Sequence, residues 1–321
     1  MTQVLCIGEI LYDYLAADRG KSIESVSNWI AYPGGAPANV ASALVKLGTS
    51  AGFIGCIGKD EPGQSLKQLL LETGVDCQGI QEHPTAPTRG VYVLRSDSGD
   101  REFAGFGHLP RDQFADAFLK ADEMPVPLFE QAQFLVLGTL ELAYPTTRKA
   151  IFRALDLANT YDIKVLVDVN WRPMFWKDTE EAIPLIHQLW ESVDFIKLSR
   201  EEAELLFDTK ESGAIAHQIA SLEGVFITDG GNTVSYCLNN FEGKIPTFEM
   251  PVEDTTGAGD SFVAGLVHQL CQKGLNYFDN PTAVKEMITY ACAVGGLTTT
   301  KSGAIAAQPT ATEVEAFLKR G

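Results

Sequence analysis

The sequence predicts an α/β fold: a mostly parallel sheet with helices on both faces. Three observations predict it. Short strand-like runs alternate with helical patterns over most of the 321 residues, as βαβ units require. Those runs are continuously apolar rather than alternating, which suits strands covered on both sides. And 45% of the residues are hydrophobic, enough for a substantial core in one large domain or two smaller ones.

The elements follow in order. Residues 4–10 form an apolar run of strand formers. Residues 36–47 carry helical periodicity and stop at Gly48, and residues 64–72 form a helix closed by Gly74, glycine being a natural helix stop. Between these helices lies a buried strand over 51–57. Further strands are expected over 134–140, 165–169, 195–198 and 225–228, and helices over 146–158, 180–190 and 201–207. The last strand leads into the turn Asp229, Gly230, Gly231, Asn232. The final third is largely helical, over 260–272, 283–298 and 312–319. Segments 22–32 and 89–106 break the rhythm, because they hold strand-like stretches without helices between them. The second reads as a hairpin turning at Ser98, Gly99 and Asp100. Both suit a small second sheet outside the main one. No repeat, low-complexity tract or long linker interrupts the chain.

Acidic residues outnumber basic ones, 42 to 25, for a net charge of −17. Such a surface repels phosphate backbones and anionic membranes, which argues against nucleic-acid and membrane partners. A nucleotide site must then draw local positive potential from backbone N–H groups, a few Lys or Arg, and metal ions. The six cysteines are scattered with no CxxC spacing, so neither a zinc nor a redox motif is supported. The opening MTQVLCIGEILYDYL has no basic n-region and carries early acids, and no apolar stretch reaches the ~20 residues of a membrane span. The expectation is a soluble cytoplasmic protein.

Two glycine-rich segments carry the chemistry. The first is DTTGAGDSFVAG, Asp254 to Gly265. Gly257 and Gly259 allow a tight turn and close approach to a ligand, and Phe262, Val263, Leu266, Val267 and Leu270 mark a helix starting near Gly259. Free N–H groups at a helix start attract anions. Asp260 therefore sits where a phosphate and a carboxylate meet. Either it caps the helix, or it accepts the proton of an attacking hydroxyl. Other phosphate motifs fail. Gly58-Lys59 is followed by Asp60 rather than Ser or Thr, Gly257-Ala258-Gly259 meets Phe262 where a dinucleotide fingerprint needs glycine, and GxSxG and HExxH are absent.

The second segment is PGGAPANVASALVKLG, Pro33 to Gly48. Gly34 and Gly35 again permit close approach, and Asn39 offers both donors and acceptors to a sugar hydroxyl. The alternative is a turn entering a core helix, with Asn39 a bystander.

Together, in this order, the two segments resemble the two signature regions of the PfkB family of carbohydrate kinases, and the element pattern agrees over essentially the whole chain. The resemblance implies a doubly wound, ribokinase-like α/β domain over 1–321, with a small β-sheet lid inserted at about 14–33 and 88–107. It implies ATP and Mg2+, with K+ as a further cation, and a homodimer through the lid. Asp260 resembles the family's catalytic base, and the backbone of Gly257, Ala258 and Gly259 its anion hole. Asp13, just after the first strand, resembles the sugar-binding aspartate, in one pocket with Gly34, Gly35 and Asn39. Ser199 stands where the family usually has Asn, three residues before Glu202, which would hold Mg2+ through water. In DVNWRP, Asp168 to Pro173, Asn170 faces the nucleotide and Arg172 is a clamp for phosphate or substrate oxygens. Thr228, Gly230 and Gly231 resemble the nucleotide-binding strand and turn, and the stretch AVGGLTTTKSG, 293–303, the wall of the adenine site. Asp254, Thr256 and Gly303 lie where some members hold a monovalent cation, with Ala307 at a position that is Ser in some ribokinases.

The substrate expectation is D-fructose, phosphorylated to fructose 6-phosphate. GGAPAN replaces the GGKGAN of many ribokinases, with Ala36 at the Lys position, and GEILYD and DVNWRP resemble fructokinase elements. The lid stretch AGFGHLPRDQFAD keeps an aromatic, Phe106, but has no Arg until Arg111, so Arg89 and Arg101 are candidate substitutes for a substrate-binding Arg. The alternatives are a 2-keto-3-deoxygluconate kinase, a ribokinase, a non-catalytic sugar- or nucleotide-binding homologue and, more distantly, a dinucleotide oxidoreductase.

Overall fold

The structure is a computed structural model that describes residues 2–96 and 101–320. Among the described residues thirteen strands run in chain order: β1 (Val4–Ile7), β2 (Leu11–Ala16), β3 (Trp29–Gly34), β4 (Ala51–Gly58), β5 (Asp76–His83), β6 (Gly90–Arg95), β7 (Arg101–Gly105), β8 (Phe134–Leu137), β9 (Lys164–Asp168), β10 (Phe195–Ser199), β11 (Gly224–Thr228), β12 (Thr233–Leu238) and β13 (Phe241–Pro246). Nine of them form one sheet in the order β13-β12-β11-β10-β9-β8-β1-β4-β5. It is parallel from β11 through to β5, and β12 and β13 add an antiparallel hairpin at one edge.

The apolar runs make this sheet doubly covered. Val4 and Cys6 face one core, with Phe262, Leu266 and Ile288 from the helices Ala258–Lys273 and Pro281–Thr298. Leu5 and Ile7 face the other, with Ile151, Ala154 and Leu206 from the helices Pro145–Thr160 and Arg200–Phe207. Each fully buried Val, Leu, Ile or Phe contributes roughly 1.5–3 kcal/mol, and losing either layer would leave a whole sheet face in water.

The second sheet has the order β3-β2-β6-β7. It is mixed, with β2 parallel to β6 and antiparallel pairs at both edges. It begins earlier than segment 22–32 suggests. Strand β2 starts at Leu11, and residues 22–26 form a turn rather than a strand. Asp13, expected just after the first strand, therefore lies inside a second strand, β2, paired with Tyr32 and Val91. The expected turn at Ser98, Gly99 and Asp100 lies outside the described residues.

Other boundaries moved for local reasons. The strand expected over 134–140 ends at Leu137, and residues 140–143 wind into a 3-10 turn. The helix expected over 180–190 divides into Ala182–His187 and a 3-10 segment, Gln188–Ser192. Residues 64–72 belong to a longer helix, Glu61–Thr73, capped by the Asp60 side chain on the Gly63 N–H at 2.9 Å. Gly74 ends it at φ 97°. Among the described residues no helix is long and apolar enough to cross a membrane.

The order in the large sheet reverses between β1 and β8. From β1 the chain goes outward to β4 and β5 on one side, and later to β8 through β11 on the other. Such a switch point opens a crevice beyond the carboxyl ends of the strands, the usual ligand position in open α/β sheets.

Candidate active site

A cavity of about 600 Å3 occupies that crevice, between the large sheet and the small one. Its polar wall comes from widely separated segments: Glu9, Asp13, Gly35, Asn39, Asn170, Arg172, Lys197, Thr256, Gly257, Gly259 and Asp260. Leu11, Val91, Val93, Phe103, Leu140, Met174 and Phe175 supply apolar surface.

The glycines do local work here. Gly257 sits at φ 77° as the residue before the helix Ala258–Lys273. The left-handed turn drops the chain directly into the helix, leaving the first N–H groups at the cavity. Gly35, at φ 104°, precedes the helix Ala36–Lys46. A Cβ there would lie 2.4 Å from the Glu9 carbonyl oxygen, so only glycine lets this loop pack on the end of β1. Gly34 does not line the cavity. It clears space for Asp13, whose Oδ2 would lie 2.6 Å from a Cβ at that position.

Asp260 does not cap its own helix. Its Oδ2 accepts a hydrogen bond from Asn39 Nδ2 at 2.7 Å, so the two glycine-rich segments meet side chain to side chain. Among the described residues the Asn39 Oδ1 is buried without a partner of its own. Burial and then the nearby Asp168 push the Asp260 carboxyl up to about 7, against the Asn39 hydrogen bond and the charges of Lys197 and Arg172. A carboxyl near neutrality can both take and release a proton at ordinary pH.

Lys197 was not legible as a site residue. It stands in β10, 7% exposed, with Nζ 2.9 Å from Asp168 Oδ1 on the adjacent β9. Burial opposes its charge, but Asp168, Glu202 and Asp260 outweigh that and hold its pKa above the usual lysine value. A Cβ at Gly259 would lie 3.2 Å from Nζ, so the ammonium lies against the helix start. The signal was a lone lysine inside an otherwise apolar strand, FIKLS.

Other expected residues are placed as follows. Asn170, at φ 40°, and Arg172 follow β9 into the cavity, and Arg172 Nη1 donates to the Trp171 carbonyl at 3.0 Å. Ser199 and Glu202 form a capping box on the helix Arg200–Phe207. Glu202 is buried, and its two oxygens accept the N–H groups of Trp171 and Ser199, each at 2.6 Å. The carboxylate thus ties the DVNWRP stretch to the end of β10. Thr228 donates to the Leu198 carbonyl at 3.3 Å, and Gly230 and Gly231 form the following turn. None of Ser199, Glu202, Thr228, Gly230, Gly231 or Ala258 lines the 600 Å3 cavity. Asp254, Thr256 and Gly303 line an adjoining cavity of about 200 Å3, shared with Asp13 and Tyr32. There Asp254 Oδ1 accepts from the Thr256 N–H and hydroxyl, at 3.0 and 2.7 Å, and Oδ2 from the Gly303 N–H at 3.1 Å.

Arg89 requires a correction. It is 1% exposed and does not line the cavity. Its Nε and Nη2 bind Asp116 at 2.5 and 2.7 Å, and Nη2 also donates to the Arg111 carbonyl. Phe106, Phe114, Tyr144 and Phe175 surround the guanidinium at 4.6–5.2 Å. The side chain is a cation buried away from the cavity wall. The side chain of Arg101 lies outside the described residues.

Comparison with known proteins identifies the family. The model of the pfkB family carbohydrate kinases matches residues 1–311. The chain belongs to that family. It is 35% identical over 319 residues to the probable fructokinase-2 of Arabidopsis thaliana, covering 98% of this chain and 95% of that protein. The structure of a fructokinase with bound ATP from Xylella fastidiosa superposes with a TM-score of 0.89 at 28% identity, covering 99% and 98% of the two chains. A fructokinase double mutant from Vibrio cholerae O395, in a form holding fructose, ADP and potassium ion, gives 0.84 at 27% identity over 99% and 98%. The protein is therefore an ATP-dependent carbohydrate kinase with a ribokinase-like fold.

Proposed function

We propose that this kinase transfers the γ-phosphate of ATP to the 6-hydroxyl of D-fructose. The single observation that carries the reading is the one cavity in which Asp260, Asn39, Asp13 and the helix start at Gly257 to Gly259 converge. Fructose is favoured because the relatives above are fructokinases and because GGAPAN places Ala36, not a lysine, on the cavity wall.

In this reading Asp13 and Asn39 pair with ring hydroxyls, and Asp260 accepts the proton of the attacking hydroxyl. The N–H groups of Gly257, Ala258 and Gly259, with the Lys197 ammonium, stabilise charge on the transferring phosphoryl group. Arg172, exposed at the rim, clamps phosphate oxygens. The nucleotide lies beyond, along the ends of β10 and β11, where Ser199, Thr228, Gly230 and Gly231 follow Asn170 in the order of the strands. Mg2+ would be held mainly by the triphosphate and water, supplying charge neutralisation. Glu202, already accepting two N–H groups, fits a role through water rather than direct coordination. The small sheet serves as the lid, with Val91, Val93 and Phe103 over the sugar, excluding water from the transfer. A homodimer through that sheet is part of the proposal, supported by Ile30, an exposed apolar side chain on its edge strand β3. A K+ ion in the adjoining cavity would order the loop before Gly257.

The test is kcat/KM for fructose, ribose, glucose, adenosine and 2-keto-3-deoxygluconate, with the product position read by 31P–1H NMR. Fructose is expected to lead, with phosphate on O6. A site that pairs each hydroxyl rejects a sugar lacking one, since its own polar groups are then left unpaired. A clear preference for another acceptor would overturn the substrate while leaving the kinase assignment in place.

A further inference from the structure

Glu9 and Glu141 are buried together where β1 and β8 end, 3% and 1% exposed. The two strands are parallel neighbours, and the chain leaving them, Glu9 two residues past β1 and Glu141 in the 3-10 turn Leu140–Ala143, brings the two carboxyls to one site. Among the described residues the ionisable groups facing them are Arg89 just before β6, Asp116 in the 3-10 turn Ala115–Phe118, and Tyr144 ahead of the helix Pro145–Thr160. Arg89 is the cation among them, and its charge is already matched by Asp116 through two hydrogen bonds. Among the described residues neither Glu141 oxygen has a well-formed hydrogen bond from the protein, and the nearness of its own backbone N–H only weakly favours the charge. What it faces is the Glu9 carboxyl. Two acceptors held face to face in a buried site repel unless a proton lies between them. Burial first, and then mutual repulsion, accordingly drive Glu141 well above the usual carboxylate range, and burial raises Glu9 as well.

Glu9 also touches the site. It lines the 600 Å3 cavity, and its Oε1 accepts the Ala36 N–H at 2.8 Å. That N–H opens the helix carrying Asn39. We propose that Glu9 is a positioning residue, and that one proton shared with Glu141 holds it against the Ala36 N–H and so sets the glycine loop at the wall of the sugar pocket. Loss of the proton puts two like charges in contact, drives Glu9 off the loop and weakens the sugar without touching the nucleotide. The second half of this inference rests on the cavity being the sugar site; the shared proton does not.

The experiment therefore has two arms. Infrared spectra of the ligand-free enzyme near pH 8 are compared for the native chain and Glu141→Gln, whose amide keeps a donor but cannot titrate. The native chain should show a protonated-carboxyl carbonyl band that loses intensity in the variant. Should Glu141→Gln fold poorly, Glu141→Leu reads the same band. In the second arm, KM for the sugar and for ATP is followed from about pH 7 to about pH 10. The native sugar KM should rise several-fold with pH while the ATP KM stays level, and in Glu141→Gln the rise should disappear with the neutral-pH KM little changed. An unchanged infrared band in both variants overturns the shared proton, whatever the substrate proves to be. A lost band with the alkaline rise intact in Glu141→Gln overturns the positioning role.

Discussion

Asp260→Asn is expected to lower kcat by about 10²–10⁴-fold, the usual cost of removing a general base, while sugar and ATP bind nearly as before. The amide keeps the shape of the carboxyl at the Asn39 contact, 2.7 Å in the native chain, but cannot take the hydroxyl proton. Near-normal turnover in the variant would rule out the assigned role. Stability should move the other way. The Asp260 carboxyl is held at about 7 in the fold, mainly by burial, from an ordinary value of 3.8. The folded state therefore holds a proton that the unfolded chain releases, and stability from this group is lost as pH rises from about 4 through about 7. Asparagine removes that loss. The variant should melt higher than the native enzyme at pH above 7 and show no such gain near the low end of the window, which differential scanning calorimetry at several pH values would read.

Lys197→Met should lower kcat by about 10²–10³-fold, the scale for deleting one preorganised charge-stabilising group, with a much smaller change in sugar KM. The ammonium lies against Gly259 and 2.9 Å from Asp168, so it faces the helix start rather than the ring-binding side chains. The single variant also strands Asp168, 4% exposed, as an unpaired buried acid, a change that typically costs about 3–5 kcal/mol. The double variant Asp168→Asn/Lys197→Met separates the two effects. It should recover most of the lost Tm and none of the lost turnover. Recovery of activity along with stability would make Lys197 a purely structural partner of Asp168.

The parts of the site that could be read in advance are those whose chemistry is local in sequence. Gly257, Gly259 and Asp260 sit within four residues of one another, and the helix pattern after them says where the N–H groups point. Gly35 and Asn39 are readable for the same reason. What local reading could not supply was pairing. Asp260 and Asn39 are 221 residues apart, and their contact follows from how both helices pack on one face of the sheet. Lys197 was hidden because a single charge in a short apolar strand resembles an imperfect strand, and the Asp168 that satisfies it belongs to the neighbouring one. Arg89 was misread because its partner lies 27 residues on and its aromatic surroundings come from four separate segments. Asp13 reads from the sequence as lying just after the first strand, because the apolar run over 4–10 conceals that the chain changes sheets there. The double covering of the large sheet, by contrast, was visible in the composition of each strand.

The most direct measurement of the central claim, that Asp260 must be ionised to accept the sugar's proton, is the pH profile of kcat/KM at subsaturating ATP with excess Mg2+. Under those conditions the profile reports ionisations of the free enzyme. With the carboxyl titrating at about 7, the native enzyme should lose about tenfold per pH unit below that point and level off just above it, before the alkaline rise in sugar KM lowers kcat/KM again. The residual activity of Asp260→Asn should lack this limb, which separates Asp260 from any ionisation of ATP. A native profile that stays flat through neutrality, or an identical limb in Asp260→Asn, would contradict the account.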